Sequence, residues 1–493
     1  MKWIAWLTLT LCGTVLAADF HDPAPPTVSV TGNGQAPPPQ AQKELTFHAA
    51  PQPLAKDAVT TDSPGFLGAP HRPVSAETHL KPELANLPIV WEVEKGTGYA
   101  APAVAADRLV LFHRQKDQAV VECLHPETGQ RYWRFAYPCD YQDRYGYTNG
   151  PRCTPVIDTT DSLVFTFGVE GKLHALDLQT GQVRWSRDIL ADFKLEPNFF
   201  GVGSTPLLDG GLLILNVGAK QACVVAFDPK TGQAKWAAPA PKDWGPSYAS
   251  PIPADVVGGR HRVFVFAGGE SRPATGGLLC IDPANGAVDF SFPWRGRRVE
   301  SVNASSPLVI DNDKVWISEC YGKGGVLLQL SEGPDKRLAA KPLWETDKLG
   351  THFMTALPLN GLLVGCDGHG PANCPLVCLD LATGDEKWRV EPDLAENITT
   401  LAGEKRTLRL NSDRCHLLQA DGRTLCLTEW GHLCYLDLSA AGCKVASRAW
   451  LFAAQETWSP PVLARGLLYV NQNAPDALNK RGTRLICYDL RGQ

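Results

Sequence analysis

One short unit recurs along this chain. Ala175-Leu176-Asp177 is followed by Thr180-Gly181 and Trp185, Ala226-Phe227-Asp228 by Thr231-Gly232 and Trp236, and Cys378-Leu379-Asp380 by Thr383-Gly384 and Trp388. Weaker copies run from Cys123 to Trp133, from Cys280 to Phe290 and from Tyr435 to Trp450. Such self-similarity constrains a fold more than any single motif, because each unit must bury its apolar face against the next. Each copy reads as a hairpin. An apolar strand ends at Asp, whose carboxylate can bond the turn backbone, and Thr-Gly supplies the residue that tolerates positive φ.

About fifty residues separate the copies, and each is preceded by a Pro-led apolar strand at Pro102, Pro155, Pro206, Pro251, Pro307, Pro358 or Pro460. The last interval is doubled, so an eighth strand start without its Pro is expected near Leu410. Runs such as Leu163-Val164-Phe165-Thr166-Phe167 and Val263-Phe264-Val265-Phe266 supply a further strand in each unit. Four-stranded units of this length, repeated radially, are the blades of an all-β, eight-bladed propeller. The final unit stops at Tyr488-Asp489-Leu490 without a Trp strand, and Ile89-Val90-Trp91-Glu92-Val93 precedes the first unit. The N-terminal strand is therefore expected to close the last blade and hide the sheet edges.

These units resemble the PQQ-repeat propeller family over roughly residues 89–493. That family includes quinoprotein alcohol dehydrogenases and the propeller subunit of the outer-membrane protein assembly machinery. The resemblance implies that Trp91, Trp133, Trp185, Trp236, Trp344, Trp388 and Trp450 are structural, docking between blades. It does not by itself imply a quinone. The family's dehydrogenases carry two adjacent cysteines, a Glu/Asn calcium site and a catalytic Asp, and this chain has no Cys-Cys pair. It also lacks a Cys-x-x-Cys-His haem-attachment sequence.

Ahead of the repeats, residues 1–18 place Lys2 before an apolar run from Trp3 to Leu11 and end in Val15-Leu16-Ala17-Ala18, the pattern of a cleaved export signal. The apolar run is too short to span a bilayer, and no later segment qualifies. Residues 19–88, rich in Pro, Ala, Gln and Thr, are expected to form a disordered, semi-extended linker. A net charge of −5 gives no global attraction for phosphate backbones, so nucleic acid is not an expected partner.

In a propeller the Asp-Thr-Gly hairpins share one face, and the loops entering each Pro strand ring the axis on the other. Those loops carry Arg144, Tyr147, Asn149, Arg152, Tyr248, Glu300, Asn303 and His352. The loops within the blades add Lys323, Asp367, His369 and Trp430. All twelve are candidate ligand-binding residues. Cations and flat rings together suit a planar acidic ligand such as PQQ, or else they simply serve the loops. Asp367 and His369 flank Gly368, as in many plain turns, and no catalytic residue is assigned.

Of fifteen cysteines, Cys123, Cys280, Cys378 and Cys487 occupy the repeat slot of Ala175 and Ala226. Equivalent slots in different blades lie too far apart to bridge, so these are expected to be buried free thiols. Cys366 with Cys374, and Cys139 with Cys153, either bridge their loops or remain free. A zinc site from Cys366, Cys374, Cys378 and His369 is not expected, because the spacing matches no paired-ligand pattern. The leading expectation is a non-catalytic, monomeric propeller of the periplasm or cell surface, binding an envelope protein or glycan through its loop face without a cofactor. The alternative is an exported dehydrogenase of alcohols or sugars using PQQ and Ca²⁺.

Overall fold

The computed structural model describes residues 20–29, 37–40, 42–241, 244–269, 274–333, 335–370, 374–399 and 403–493. The expected export signal lies outside them. The described chain is almost wholly β, and eight antiparallel blades of four strands follow one another around an axis, the second and eighth each gaining a fifth strand from the N-terminal segment. In the second blade, Val156–Asp158 is innermost, then Leu163–Phe167, Lys172–Asp177 and, outermost, Val183–Asp188. Ile89–Glu94 pairs with Arg484–Asp489, so the N-terminal strand closes the eighth blade as expected. The Pro-less inner strand is His416–Ala420 rather than one starting near Leu410. A hairpin of Glu396–Thr399 and Lys405–Leu408 stands before it and takes up the extra residues.

The repeat residues hold blade to blade. In the second blade Asp177 Oδ1 accepts from the Gln179 and Thr180 backbone amides and from Thr180 Oγ1, which fixes the turn. Trp185 then lies across the turn of the third blade, its Nε1 donating to Pro229 O at 2.8 Å. Gly232 at that turn has φ +72°, and a Cβ there would sit 2.6 Å from the Trp185 ring. Trp91, Trp133, Trp236 and Trp344 make the same contact with the turns that follow them. Trp388 donates to Ser439 O of the seventh blade. Trp450 departs from the pattern: it donates to Trp430 O within its own blade and stacks on His432.

The segment 19–88 is not a linker in its described part. Thr27–Val28, Gln40 and Leu45–Phe47 lie along the outer edges of the second, first and eighth blades in turn. The chain then enters the axial channel. Ser63 exchanges backbone hydrogen bonds with Val104, Pro64 O accepts from Ile157 N, and Ser75 N donates to Gln419 O. Unpaired inner-strand edges thus gain partners, which explains why a proline-rich stretch without strand periodicity is ordered: it adds to sheets formed by others. Leu80 and Leu84 are buried where the arm returns to the eighth blade.

At the start of the arm, Asp22 accepts from both terminal nitrogens of Arg187, a side chain with no exposed surface. Burial pushes the Asp22 carboxyl up, but Arg187 and the Ala234 amide outweigh it and hold the carboxyl below its ordinary value. A group depressed on folding stabilises above its unfolded pKa and loses that contribution as pH falls through the folded value. Asp22→Asn is therefore expected to cost about 1–3 kcal/mol near neutral pH. Denaturant midpoints of the two proteins should converge as pH falls below the ordinary carboxyl range, about 4.

Candidate functional site

On the loop face, the strand entries converge on an axial cavity of ≈ 220 Å³. Three residues that stand before inner-strand prolines, Thr154, Thr205 and Ser250, line it. Thr154 N donates to Thr205 Oγ1, Thr205 N to Ser250 Oγ, and Ser250 N to Ser306 Oγ, so hydroxyls link the second to fifth blades around the axis. The walls are aromatic. Trp458 lies 4.9 Å from Tyr99, 5.4 Å from Tyr147 and 5.8 Å from Phe353, and Phe200 lies 5.8 Å from Tyr147 and 5.7 Å from Tyr248. Opposite, Tyr321 stacks on His369 at 4.7 Å. Phe66 of the N-terminal arm also lines the cavity, so the segment expected to be a linker forms part of the site.

The charged side chains in this wall are already paired. Arg152 Nη2 donates to Asp143 Oδ2 at 2.7 Å and its Nε to Phe200 O. Arg414 forms a two-pronged pair with Glu429 at 2.8 and 2.7 Å, and its guanidinium lies 4.3 Å over the Trp458 ring. Two imidazoles of the wall are neutral: burial lowers His352 to about 3 and His416 to about 4. His352 Nε2 is 3.2 Å from the Tyr321 hydroxyl, and His416 Nε2 is 2.9 Å from Trp458 O. The cavity therefore offers ring faces and neutral hydrogen-bonding groups, with no unneutralised charge on its wall.

Five of the twelve candidates line this cavity: Tyr147, Arg152, Tyr248, His352 and His369. The others do not. Asn303 is fully buried and ties the loop ahead of the fifth blade to the fourth through Ala267 O and Trp294 O, while Glu300 is exposed outside the cavity. Lys323 Nζ sits 3.6 Å over the Trp294 ring. Asp367 accepts from Gly350 N and from Arg389, and Trp430 O accepts from Trp450. Arg144 is exposed on its loop, and Asn149 Oδ1 accepts from Asp143 N. Tyr99, Arg414, His416 and Trp458 were not among the expected residues. A usable signal exists: each stands at the start of an inner strand or within four positions ahead of it, in the same entry loops that carry Tyr248 and His352.

Cysteine pairs expected to bridge or stay free are free thiols. Cys366 Sγ donates to Asp413 O at 2.9 Å and Cys374 Sγ to Gly370 O at 2.9 Å. Cys139 Sγ is 3.3 Å from Glu170 Oε2 and Cys153 Sγ 3.3 Å from Ser204 O. Cys123, Cys280, Cys378 and Cys487 are buried free thiols, as the repeat register requires.

Among the described residues no helix is long and apolar enough to cross a membrane. No curated protein matches in sequence. In structure, the chain is similar to BamB from Moraxella catarrhalis at TM-score 0.52 and 15% identity, over 83% of this chain and 99% of that one. It is also similar to the quinohemoprotein alcohol dehydrogenase of Comamonas testosteroni, at TM-score 0.61 and 13% identity, over 88% of this chain and 81% of that one. A europium-containing methanol dehydrogenase superposes at TM-score 0.59 and 11% identity, over 85% and 96% of the two chains. Identities this low speak for the fold alone. The match to the family model for outer membrane protein assembly factor BamB spans residues 116–390, more than half of the 493 residues, and the chain belongs to that PQQ-like propeller family.

Proposed function

We propose that this chain is a non-catalytic propeller of the cell envelope that binds a glycan, taking one sugar ring into the axial cavity. The observation that carries this reading is the wall itself: several aromatic faces at differing tilts, neutral imidazoles, and arginines already neutralised by carboxylates. A pyranose presents flat C–H faces that lie on aromatic rings, while its hydroxyls bond neutral donors and acceptors. A protein partner would instead require a broad exposed face of about 800 Å² on each side. The export-signal pattern of residues 1–18 supports the envelope part of this reading.

PQQ with Ca²⁺ fits these residues poorly. The quinone carries three carboxylates, yet both arginines of the wall have carboxylate partners of their own, and Lys323 lies on Trp294. Glu300 and Asn303, which match the calcium ligands of the family's dehydrogenases in residue type alone, do not line the cavity. The described residues contain no cluster of three or more acidic, His or Cys side chains suited to a metal.

Titration calorimetry of the mature chain with chitotetraose, maltotetraose and cellotetraose, and with PQQ in the presence and absence of Ca²⁺, tests the reading. One neutral oligosaccharide should bind, and Trp458→Ala should weaken it roughly tenfold, about 1.4 kcal/mol. Ca²⁺-dependent binding of PQQ with no response to any sugar would reverse the assignment.

A further inference from the structure

A second groove of ≈ 770 Å³ opens on the loop face and shares Tyr147 with the axial cavity. Its lining has the opposite electrostatic character. Arg114, Lys116 and Arg134 face a single carboxylate, Asp117. Arg114 is only 6% exposed, and its guanidinium bonds carbonyls alone: Nε to Lys116 O at 2.8 Å, Nη1 to Tyr141 O at 2.6 Å and Asn149 O at 3.1 Å. Among the described residues no carboxylate pairs with it. A cation withdrawn from water without a counter-charge is costly, and an anion entering the groove would relieve that cost. Arg134 shares Glu122 with Arg131 and His113, so that carboxylate is divided, and Lys116 stands at an exposed turn with no ion-pair partner among the described residues. The chain as a whole is acidic, at −5, which makes this local excess of positive charge a feature of the groove and not of the surface at large.

Resting on the glycan reading above, we infer that the bound glycan is acidic: one ring stacks in the axial cavity beside Tyr147, and the carboxylate of an adjoining uronic acid residue lies in the groove against Arg114, Lys116 and Arg134. Tyr147 serves both subsites, because its ring is 5.4 Å from Trp458 and also lines the groove. Charge-assisted contacts in the groove would select acidic saccharides, and stacking in the cavity would hold acidic and neutral ones alike.

Trigalacturonic acid and its fully methyl-esterified form differ only in charge and a methyl group, and their affinities for the full mature chain separate the two subsites. The acid should bind about tenfold more tightly than the ester at low salt, with the gap closing as ionic strength rises. Lys116→Ala and Arg134→Ala should each narrow the gap between acid and ester, and Tyr147→Ala should weaken both ligands. Equal affinity for acid and ester would overturn the acidic-glycan inference and leave the axial reading standing. Binding of neither, while an acidic peptide such as hexaglutamate binds, would overturn both.

Discussion

Replacing Trp185 with alanine is expected to destabilise the propeller by about 3–5 kcal/mol, the cost of emptying a fully buried indole site. Trp185 has no exposed surface, packs 6.1 Å from Phe165, and donates to Pro229 O across the boundary between the second and third blades. Alanine removes the packing and leaves that carbonyl without its donor. Trp185→Phe should cost less, about 1–3 kcal/mol, because most of the ring area stays and only the hydrogen bond goes. Gly232→Ala should also be severe, since the glycine has φ +72° and its missing Cβ is the space the ring occupies. Guanidinium unfolding curves of the three variants give the order, and equal midpoints for Trp185→Ala and wild type would contradict the blade-docking role.

Glu77→Ala is expected to release the N-terminal arm. Glu77 is 1% exposed, and its carboxylate accepts from Thr61 N, Thr61 Oγ1, Arg465 N and Gly466 N, tying the arm to the inner hairpin of the eighth blade. Desolvation raises its pKa despite those four bonds, so the group is held there against the cost of burial. Removing it orphans several buried donors at about 1–3 kcal/mol each. The expected result is rapid proteolysis within residues 55–76 while residues 89–493 stay resistant, together with loss of ligand binding as Phe66 leaves the cavity. Unchanged protease resistance of the arm would show that its sheet pairing holds it without Glu77.

The repeat made the blades legible because each of its residues has one physical task. Asp caps the turn, Gly takes positive φ, Trp covers the next turn, and Ala or Cys leaves room opposite the Trp, as in the pairing of Cys378 with Trp388. The closing strand was legible for the same reason, since an unmatched Trp91 needed a blade. The arm was not. Its order comes from inner-strand edges elsewhere in the chain, and no local periodicity records a partner more than forty residues away, such as Glu77 to Arg465. The site was legible in part: Tyr147, Arg152, Tyr248, His352 and His369 stand in loops whose place on the axis follows from the repeat. What the sequence concealed was pairing. Arg152 and Lys323 read as free cations until Asp143 and Trp294 are seen beside them. Trp458 was hidden because its neighbour Pro460 marked only the start of a strand.

The axial assignment meets its most direct test in a crystal structure of the mature chain soaked with whichever neutral tetrasaccharide binds most tightly. The account predicts a pyranose ring in the axial cavity, its C–H face about 4 Å from Trp458 or Tyr147. A sugar bound at the outer blade surface, with the cavity free of it, would contradict the account.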